Sequence, residues 1–356
     1  MHFGLFSLMA QRDRGITARQ LYQEMVEQVK LAEAIGFDIA WFAEHHFSNY
    51  CLCPSPITMA TCLAPQTTRI RLGTAVIVAP LYHPLRMLED IGMLDVISNG
   101  RAVIGLGTGY QHYEFHKFGV SLAAARETFL ETLDVLEQYL SGGPVHHDGQ
   151  YIRIPETHFV VYPIQRRPDV YVAGLAGDPV TQARVVASGY VPIFTTGWST
   201  IAQMRAVRDT VTAANAQAAG DPARAPYAMQ RYVFVTDDKA EARRAAEAAR
   251  YIRRVAMSMR SNVARLDGAF LQEMPAPDEP SLEDIASRLV VGDAEVCAAR
   301  LAAEIEALQP VHVSCFMALP NVPQARTLRS MERFGAEVMP MLDRHFGGLA
   351  RIGRPG

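Results

Sequence analysis

An apolar run, Ile39-Ala40-Trp41-Phe42-Ala43, stops abruptly at Glu44-His45-His46. Aromatic bulk at Trp41 and Phe42 suits a pleated surface, so the run reads as a short buried strand opening into a polar loop. Side chains alternate along a strand. His45 therefore shares a side with Ala43 and Trp41, and Glu44 and His46 face the other way. One histidine can look into a cavity while its neighbour braces the wall. A buried histidine pair satisfied by backbone partners is the competing reading.

Three further loops carry residue types that suit a ligand. Gly105-Leu106-Gly107-Thr108-Gly109-Tyr110 places glycines at alternate positions, which lets backbone approach a flat or anionic group, and Thr108 can donate to phosphate. The spacing is not that of a dinucleotide fingerprint. Ala173-Gly174-Leu175-Ala176-Gly177-Asp178 is a second small-residue loop leading into a helix. Thr195-Thr196-Gly197-Trp198 offers hydroxyls and an aromatic plate. Together with the histidines these loops describe a wide site for a flat phosphorylated cofactor. Metal ligation by His45, His46, Cys51 and Cys53, or by His112 and His116, competes. Adjacent strand histidines point apart, however, and Cys-x-Cys is tighter than zinc spacings, so no metal is expected. A nucleophile-elbow Gly-x-Ser-x-Gly is missing, which speaks against a hydrolytic triad.

These loops need strands and helices to position them, and strand and helix patterns alternate eight times. Strands are expected at 2–8, at 39–43, at 69–78, at 101–106, at 169–173, at 190–194, at 227–235 and at 311–317. Helices fill the gaps at 17–35, 55–64, 84–98, 122–140, 178–188, 200–219, from 238, 294–307 and 322–342. The pattern predicts a (β/α)8 TIM barrel, an α/β fold with its chemistry at the carboxyl ends of the strands. A doubly wound sheet would show a glycine-rich turn after its first strand, where Ser7-Leu8-Met9-Ala10 stands instead. Two insertions decorate a single domain spanning 1–356: a hairpin region at about 145–168, turning at Asp148-Gly149, and an irregular proline-bearing stretch at 261–291, a candidate lid after the seventh strand.

Composition excludes several classes. The chain has 356 residues, 49% hydrophobic and 20% charged, with a net charge of −3, giving no general attraction to nucleic acid or anionic membranes. Its densest basic stretch, Lys239 to Arg260, holds seven Lys or Arg interleaved with acids and reads as a solvated helix face. No secretory leader pattern or membrane-length apolar run is seen, and the five cysteines are irregularly spaced. A cytoplasmic protein with free thiols is expected.

Several separated motifs in one order resemble the bacterial luciferase-like flavin monooxygenases. They are Met1-His2-Phe3-Gly4-Leu5-Phe6, Glu44-His45-His46-Phe47, Leu72 to Val78, His83-Pro84-Leu85-Arg86, Leu94-Asp95 and Gly100-Arg101. The resemblance runs from residue 1 to about 200 and returns at Arg231 to Met257 and near Phe334 to Leu342. It implies a TIM barrel that binds reduced FMN supplied by a separate flavin reductase and uses O2, through a flavin hydroperoxide, to oxygenate a small organic substrate such as an aldehyde or ketone. His45 matches the family histidine that serves as base or hydrogen-bond partner. Ala75-Val76 matches the site of a non-prolyl cis peptide beneath the flavin ring. Gly107, Thr108, Gly109 and Tyr110, with Ala173, Gly174, Leu175, Ala176 and Gly177, match loops that hold the ring edge, ribityl chain and phosphate. Phe6, Glu44, His46 and Trp198 would face the substrate. A homodimer is implied through the second and third helices, with Ile57 to Ala60, Met87, Ile91 and Leu94 as the apolar surface.

The chain departs from light-producing luciferase at Gly107, Thr108 and Leu175, where that enzyme has Cys, Arg and Glu. Light emission is not expected. Arg166 or Arg167 is the candidate to supply the missing positive charge, and Cys51-Leu52-Cys53-Pro54-Ser55-Pro56 the candidate to shape the substrate side. F420-dependent hydride transfer on the same barrel is the first alternative, and a flavin-binding protein without turnover the second.

Overall fold

The structure is a computed structural model that describes residues 1–175, 177–217, 225–276 and 279–353. Eight parallel strands close on themselves: β1 (His2–Ser7), β2 (Ile39–Phe42), β3 (Arg71–Thr74), β4 (Ala102–Gly107), β5 (Val170–Ala173), β6 (Val191–Thr195), β7 (Ala228–Val235) and β8 (His312–Phe316). Each pairs with the next, for example Gly4 with Ile39, Trp41 with Gly73, Leu72 with Ala102 and Ile104 with Val170. Tyr171 pairs with Val191, Ala228 with both Ile193 and His312, and His2 with His312 closes the ring. This is the (β/α)8 TIM barrel expected from the alternation.

The surrounding helices are α1 (Ala18–Ala34), α2 (Pro56–Leu63), α3 (Pro84–Ile97), α4 (His112–Phe118), α5 (Ala125–Leu140) and α6 (Pro179–Ala187). They continue as α7 (Ile201–Gln217), α8 (Lys239–Arg260), α9 (Leu282–Arg288), α10 (Ala294–Leu308), α11 (Gln324–Arg333) and α12 (Met339–Phe346). Their starts follow capping chemistry. The side chains of Thr17, Ser55, Asp178, Asp238 and Asp293 each accept a backbone N–H from the first turn. α8 shows how burial fixes orientation: Ala245, Ala249, Ile252, Val255 and Met259 are buried.

Inside the barrel, Ile39, Trp41, Val103, Tyr171, Ile193 and Ala228 form a core separate from the larger one between barrel and helices. Trp41 Nε1 donates to His312 Nε2 at 2.8 Å. That indole fits because residue 73 is glycine: a Cβ there would lie 2.4 Å from the Trp41 ring. This core, with Trp41 its largest side chain, fills the barrel interior.

Three elements differ from the sequence expectation. The third strand is not continuous over 69–78. It ends at Thr74, passes through a cis peptide between Ala75 and Val76, and resumes at Ile77–Val78, which pairs with Leu106 and Gly107. The chain thereby shifts from pairing beside β2 to lying along the end of β4. α4 occupies what reads as loop after the fourth strand. The stretch 261–291 contains a two-stranded hairpin (Leu266–Asp267 with Phe270–Leu271), α9, and a strand Val290–Gly292 paired to β7. The hairpin Val145–Asp148 with Arg153–Thr157 forms as expected, and Glu131 accepts N–H bonds from Gln150, Tyr151 and Ile152 at its tip.

Candidate active site

The open carboxyl end of the barrel holds a cavity of about 310 Å³, lined by residues from every strand end but that of β3, whose bulge supplies Ala75, Val76 and Val78. A larger open groove of about 1090 Å³ lies at the other end, lined by Gln165, Arg166, Arg167, Ser188 and Tyr190 ahead of β5 and β6. The enclosed cavity is the functional candidate, because barrel chemistry sits at carboxyl ends and binding sites are concave. This corrects the expectation for Arg166 and Arg167. Both line the groove at the amino end, remote from the glycine loops.

His45 extends beyond β2 on the Trp41 side and lines the cavity, as alternation predicts. Its Nδ1 lies 3.1 Å from Glu114 Oε1, supplied by α4. The same carboxylate oxygen accepts the His46 backbone N–H at 2.7 Å. Glu114 is only 1% exposed, so a buried acid pins both the imidazole and the loop that carries it. An acceptor at Nδ1 requires Nδ1 to hold the proton, which leaves Nε2 as the basic nitrogen of the neutral ring. Gln111 Nε2 lies 2.9 Å from that Nδ1, while Gln111 Oε1 is buried without a partner. A ring N–H cannot also accept, so this tautomer requires the Gln111 amide to present Oε1 instead. Tyr50 and Tyr110 pack edge-on against His45, with ring centroids 4.8 and 5.8 Å away.

Glu44 is a wall residue. Its Oε1 accepts from His46 Nε2 at 3.0 Å, and its Oε2 accepts from Val78 N and Tyr82 Oη. Burial pushes its carboxyl up from the ordinary range, against the lowering effect of His46, Tyr82 and Val78. His46 is buried against Phe118 and Glu44 and is not among the cavity-lining side chains. Trp198 also lies outside the lining set, within 5.9 Å of the Arg253 guanidinium. Phe6 lines the cavity.

The adjoining wall, built after β3, β4 and β5, is a cradle of small residues. Ala75, Val76, Gly107, Thr108, Gly109, Tyr110, Ala173, Gly174 and Leu175 all line it. The cis Ala75-Val76 bond implied by the resemblance is present. A Cβ on Gly107 would stand 2.6 Å from Val76 Cγ2, and one on Gly109, at φ +73°, 2.5 Å from Phe115. Side chains at these positions are excluded by what already fills the space. Gly177 lies in the following turn outside the lining set, and Ala176 falls outside the described residues.

Several lining residues carry no motif in the sequence. Tyr50 and Glu114 come from loop and helix, Gln230 and Tyr232 from β7, and Ile252, Arg253, Ala256, Met257 and Arg260 from α8. The last set follows i, i+1, i+4, i+5, i+8 spacing, a helical face visible in the sequence but overshadowed by its charge. The solvated-face expectation for Lys239 to Arg260 therefore needs correction at Arg253 and Arg260, which border the cavity. No described residue of 261–291 lines it. That stretch is held above the β1 and β2 loops instead: Asn49 N donates to Ala269 O, Leu271 N donates to Asn49 Oδ1, and Arg254 pairs with Glu273 and Glu279. Among the described residues no group of three His, Cys, Asp or Glu is placed to hold a metal ion. Cys51 and Cys53 are free buried thiols, and burial pushes Cys53 up to about 12.

A TIM barrel with a histidine–acid pair beside a small-residue cradle defines the class. The luciferase-like monooxygenase model matches residues 1–309, and the chain belongs to that family. An uncharacterized protein y4vJ of Sinorhizobium fredii is 35% identical over 98% of this chain and 99% of its own length. The oxygenase component of a flavin-dependent trigonelline monooxygenase from Acinetobacter baylyi is 33% identical over 53% of this chain and 52% of its own. In fold, the chain matches monooxygenase RslO1 from Streptomyces bottropensis (TM-score 0.83, 22% identity, 96% of this chain and 99% of that one). It also matches the oxygenating constituent of 3,6-diketocamphane monooxygenase from Pseudomonas putida in complex with FMN (0.79, 20%, 96% and 98%). A coenzyme F420-dependent tetrahydromethanopterin reductase from Methanopyrus kandleri shares the fold too (0.72, 19%, 96% and 99%).

Proposed function

We propose that this chain is the oxygenase component of a two-component monooxygenase, taking reduced FMN from a separate flavin reductase and using O2 to oxygenate a small organic substrate. The observation that carries the reading is one cavity holding the His45–Glu114 pair beside the Ala75, Val76 and Gly107 cradle. Those residues fit a flavin: the Val76 and Gly107 wall is apolar and free of projecting side chains, and the Thr108 and Gly174 loops offer hydroxyl and backbone N–H groups.

Reduced FMN, when bound, supplies the electrons that activate O2. The chain's own contribution is placement and proton control. Glu114 fixes His45 Nδ1–H, so Nε2 accepts or returns a proton at the cavity surface. Tyr50 and Tyr232, whose phenols burial pushes up, remain hydrogen-bond donors. Val76, Tyr110 and Met257 restrict water. F420-dependent hydride transfer is supported by likeness of fold alone, whereas the FMN reading also has the sequence likeness to a flavin-dependent oxygenase. Exposed Met93, Val96 and Ile97 on α3 favour a homodimer.

The test is anaerobic mixing with reduced FMN followed by air in a stopped-flow cell. Slowed flavin reoxidation whose rate responds to added aldehydes or ketones supports the proposal. Reoxidation as fast as for free flavin removes it, and F420 reduction without O2 then becomes the reading to test.

A further inference from the structure

Both acids that line the cavity have hydrogen-bond partners. Glu44 is held by His46, Val78 and Tyr82, and Glu114 by His45 and His46. On α8, Arg243 pairs with Glu283, Arg250 with Glu279, and Arg254 with Glu273 and Glu279. Arg253 and Arg260 border the cavity with no carboxylate beside them among the described residues. Seven residues apart, they project from one face of α8 about 10.5 Å apart along its axis. Arg253 lies beside Trp198 and Tyr232, and Arg260 acts on Tyr110, which packs on His45.

We infer that Arg253 and Arg260 form the seat for an anionic group of the substrate, a carboxylate or sulfonate, and that the natural substrate is an organic anion. The inference rests on the oxygenase reading for the reaction but stands on the cavity alone for binding. Two guanidinium groups without a carboxylate partner among the described residues, beside acids already held by other donors, are free to take up a ligand's anion. Guanidinium groups match the forked oxygens of carboxylate and sulfonate. The alternative source of an anion is the flavin phosphate. The cradle's own donors favour the substrate: the Thr108 and Gly174 loops offer a hydroxyl and backbone N–H groups to a phosphate, which leaves the arginines of α8, the helix after β7, for a second anion. An anion on this seat lies near Tyr110, which packs on His45.

The experiment is calorimetric titration of the full chain with three matched pairs: benzoate and benzamide, octanoate and octanamide, benzenesulfonate and benzenesulfonamide. Wild type is expected to bind the anion of at least one pair about tenfold more tightly than its neutral partner, with the preference falling as salt rises. Arg253→Gln and Arg260→Gln are each expected to weaken that preference, and the double variant to abolish it. Arg260→Lys is expected to retain part of it, which separates charge from folding. Wild type that prefers no anion over its neutral partner overturns the inference, as does a preference that survives in the double variant. In parallel, FMN and riboflavin binding are followed by flavin fluorescence. Variants that lose FMN affinity but not riboflavin affinity assign the arginines to the flavin phosphate and overturn the substrate assignment. Wild type that binds no flavin yet prefers the anions removes the oxygenase reading and leaves the anion seat in place.

Discussion

Glu114 decides what His45 can do. Its Oε1 holds the imidazole at 3.1 Å and the His46 amide at 2.7 Å. Glu114→Gln keeps an acceptor for that amide but removes the charge that stabilises a protonated ring. Flavin affinity is expected to stay, while substrate-coupled O2 use drops by about 100-fold. His45→Ala is expected to lose as much, and the double variant little more, because the two act as a unit. Product yield per O2 measured alongside flavin binding checks this, and full coupling in either variant refutes the assignment. A second residue-scale expectation concerns His312, which burial pushes down to about 3 from 6.5. Between those values the unfolded chain binds a proton that the folded one refuses, so stability falls as pH drops from about 6.5 toward 3. The contribution is a few kcal/mol, roughly 1.4 per pH unit. His312→Gln, which preserves an acceptor for Trp41, is expected to flatten this slope in urea titrations run at pH 4, 5, 6 and 7.

At the scale of elements, the side wall of the barrel depends on one buried ion pair. Arg231 of β7 donates to Glu304 of α10 at 2.7 Å, to Thr196 and Gly197 after β6, and to the Arg288 carbonyl at the end of α9. Burial pushes the Glu304 carboxyl up even beside its arginine, a sign that desolvation takes back much of the attraction. Arg231→Met is therefore expected to cost about 3–5 kcal/mol, since it strands a buried carboxylate. The double variant with Glu304→Leu is expected to recover most of that. Denaturation of the cycle measures it, and a double variant as unstable as Arg231→Met would locate the loss in the carbonyl bonds instead. Neither partner is marked in the sequence. Arg231 sits in a strand where a charge looks misplaced, and Glu304 lies 73 positions later in a helix rich in acids. Local patterns reveal an element's period and ends. A contact between distant elements leaves no such trace. The same holds for Glu114: its partner His45 was legible from its place at a strand end, whereas the acid sits in a loop-like stretch that folds into α4. The break in the third strand was hidden from the local pattern, because Ala75 to Val78 reads as one apolar run, and only the resemblance pointed to the cis bond at Ala75-Val76 after which the chain shifts to Leu106 and Gly107.

At the scale of the whole molecule, eight alternations without a glycine-rich turn after the first strand were enough to read the barrel over a doubly wound sheet. Association is where sequence and structure part. Ile57, Met87, Ile91 and Leu94, apolar residues expected at a subunit contact, are buried in the monomer, and helical period alone cannot tell a barrel-facing stripe from an outward one. The exposed apolar residues of α3 are Met93, Val96 and Ile97, the other side of the same helix. Beside them run Val160, Val161 and Ile164, also exposed, with Val161 reaching the helix at Gly92. Six uncovered apolar side chains in one region form a patch of the kind that marks a subunit contact. In a two-fold dimer this patch meets its own copy, so one substitution enters the interface twice. Ile97→Lys is expected to yield monomer at micromolar concentration in sedimentation velocity, with cavity ligand binding unchanged because α3 contributes no lining residue. Monomeric wild type, or a dimer indifferent to Ile97→Lys and Val96→Asp together, would place the contact elsewhere or abolish it.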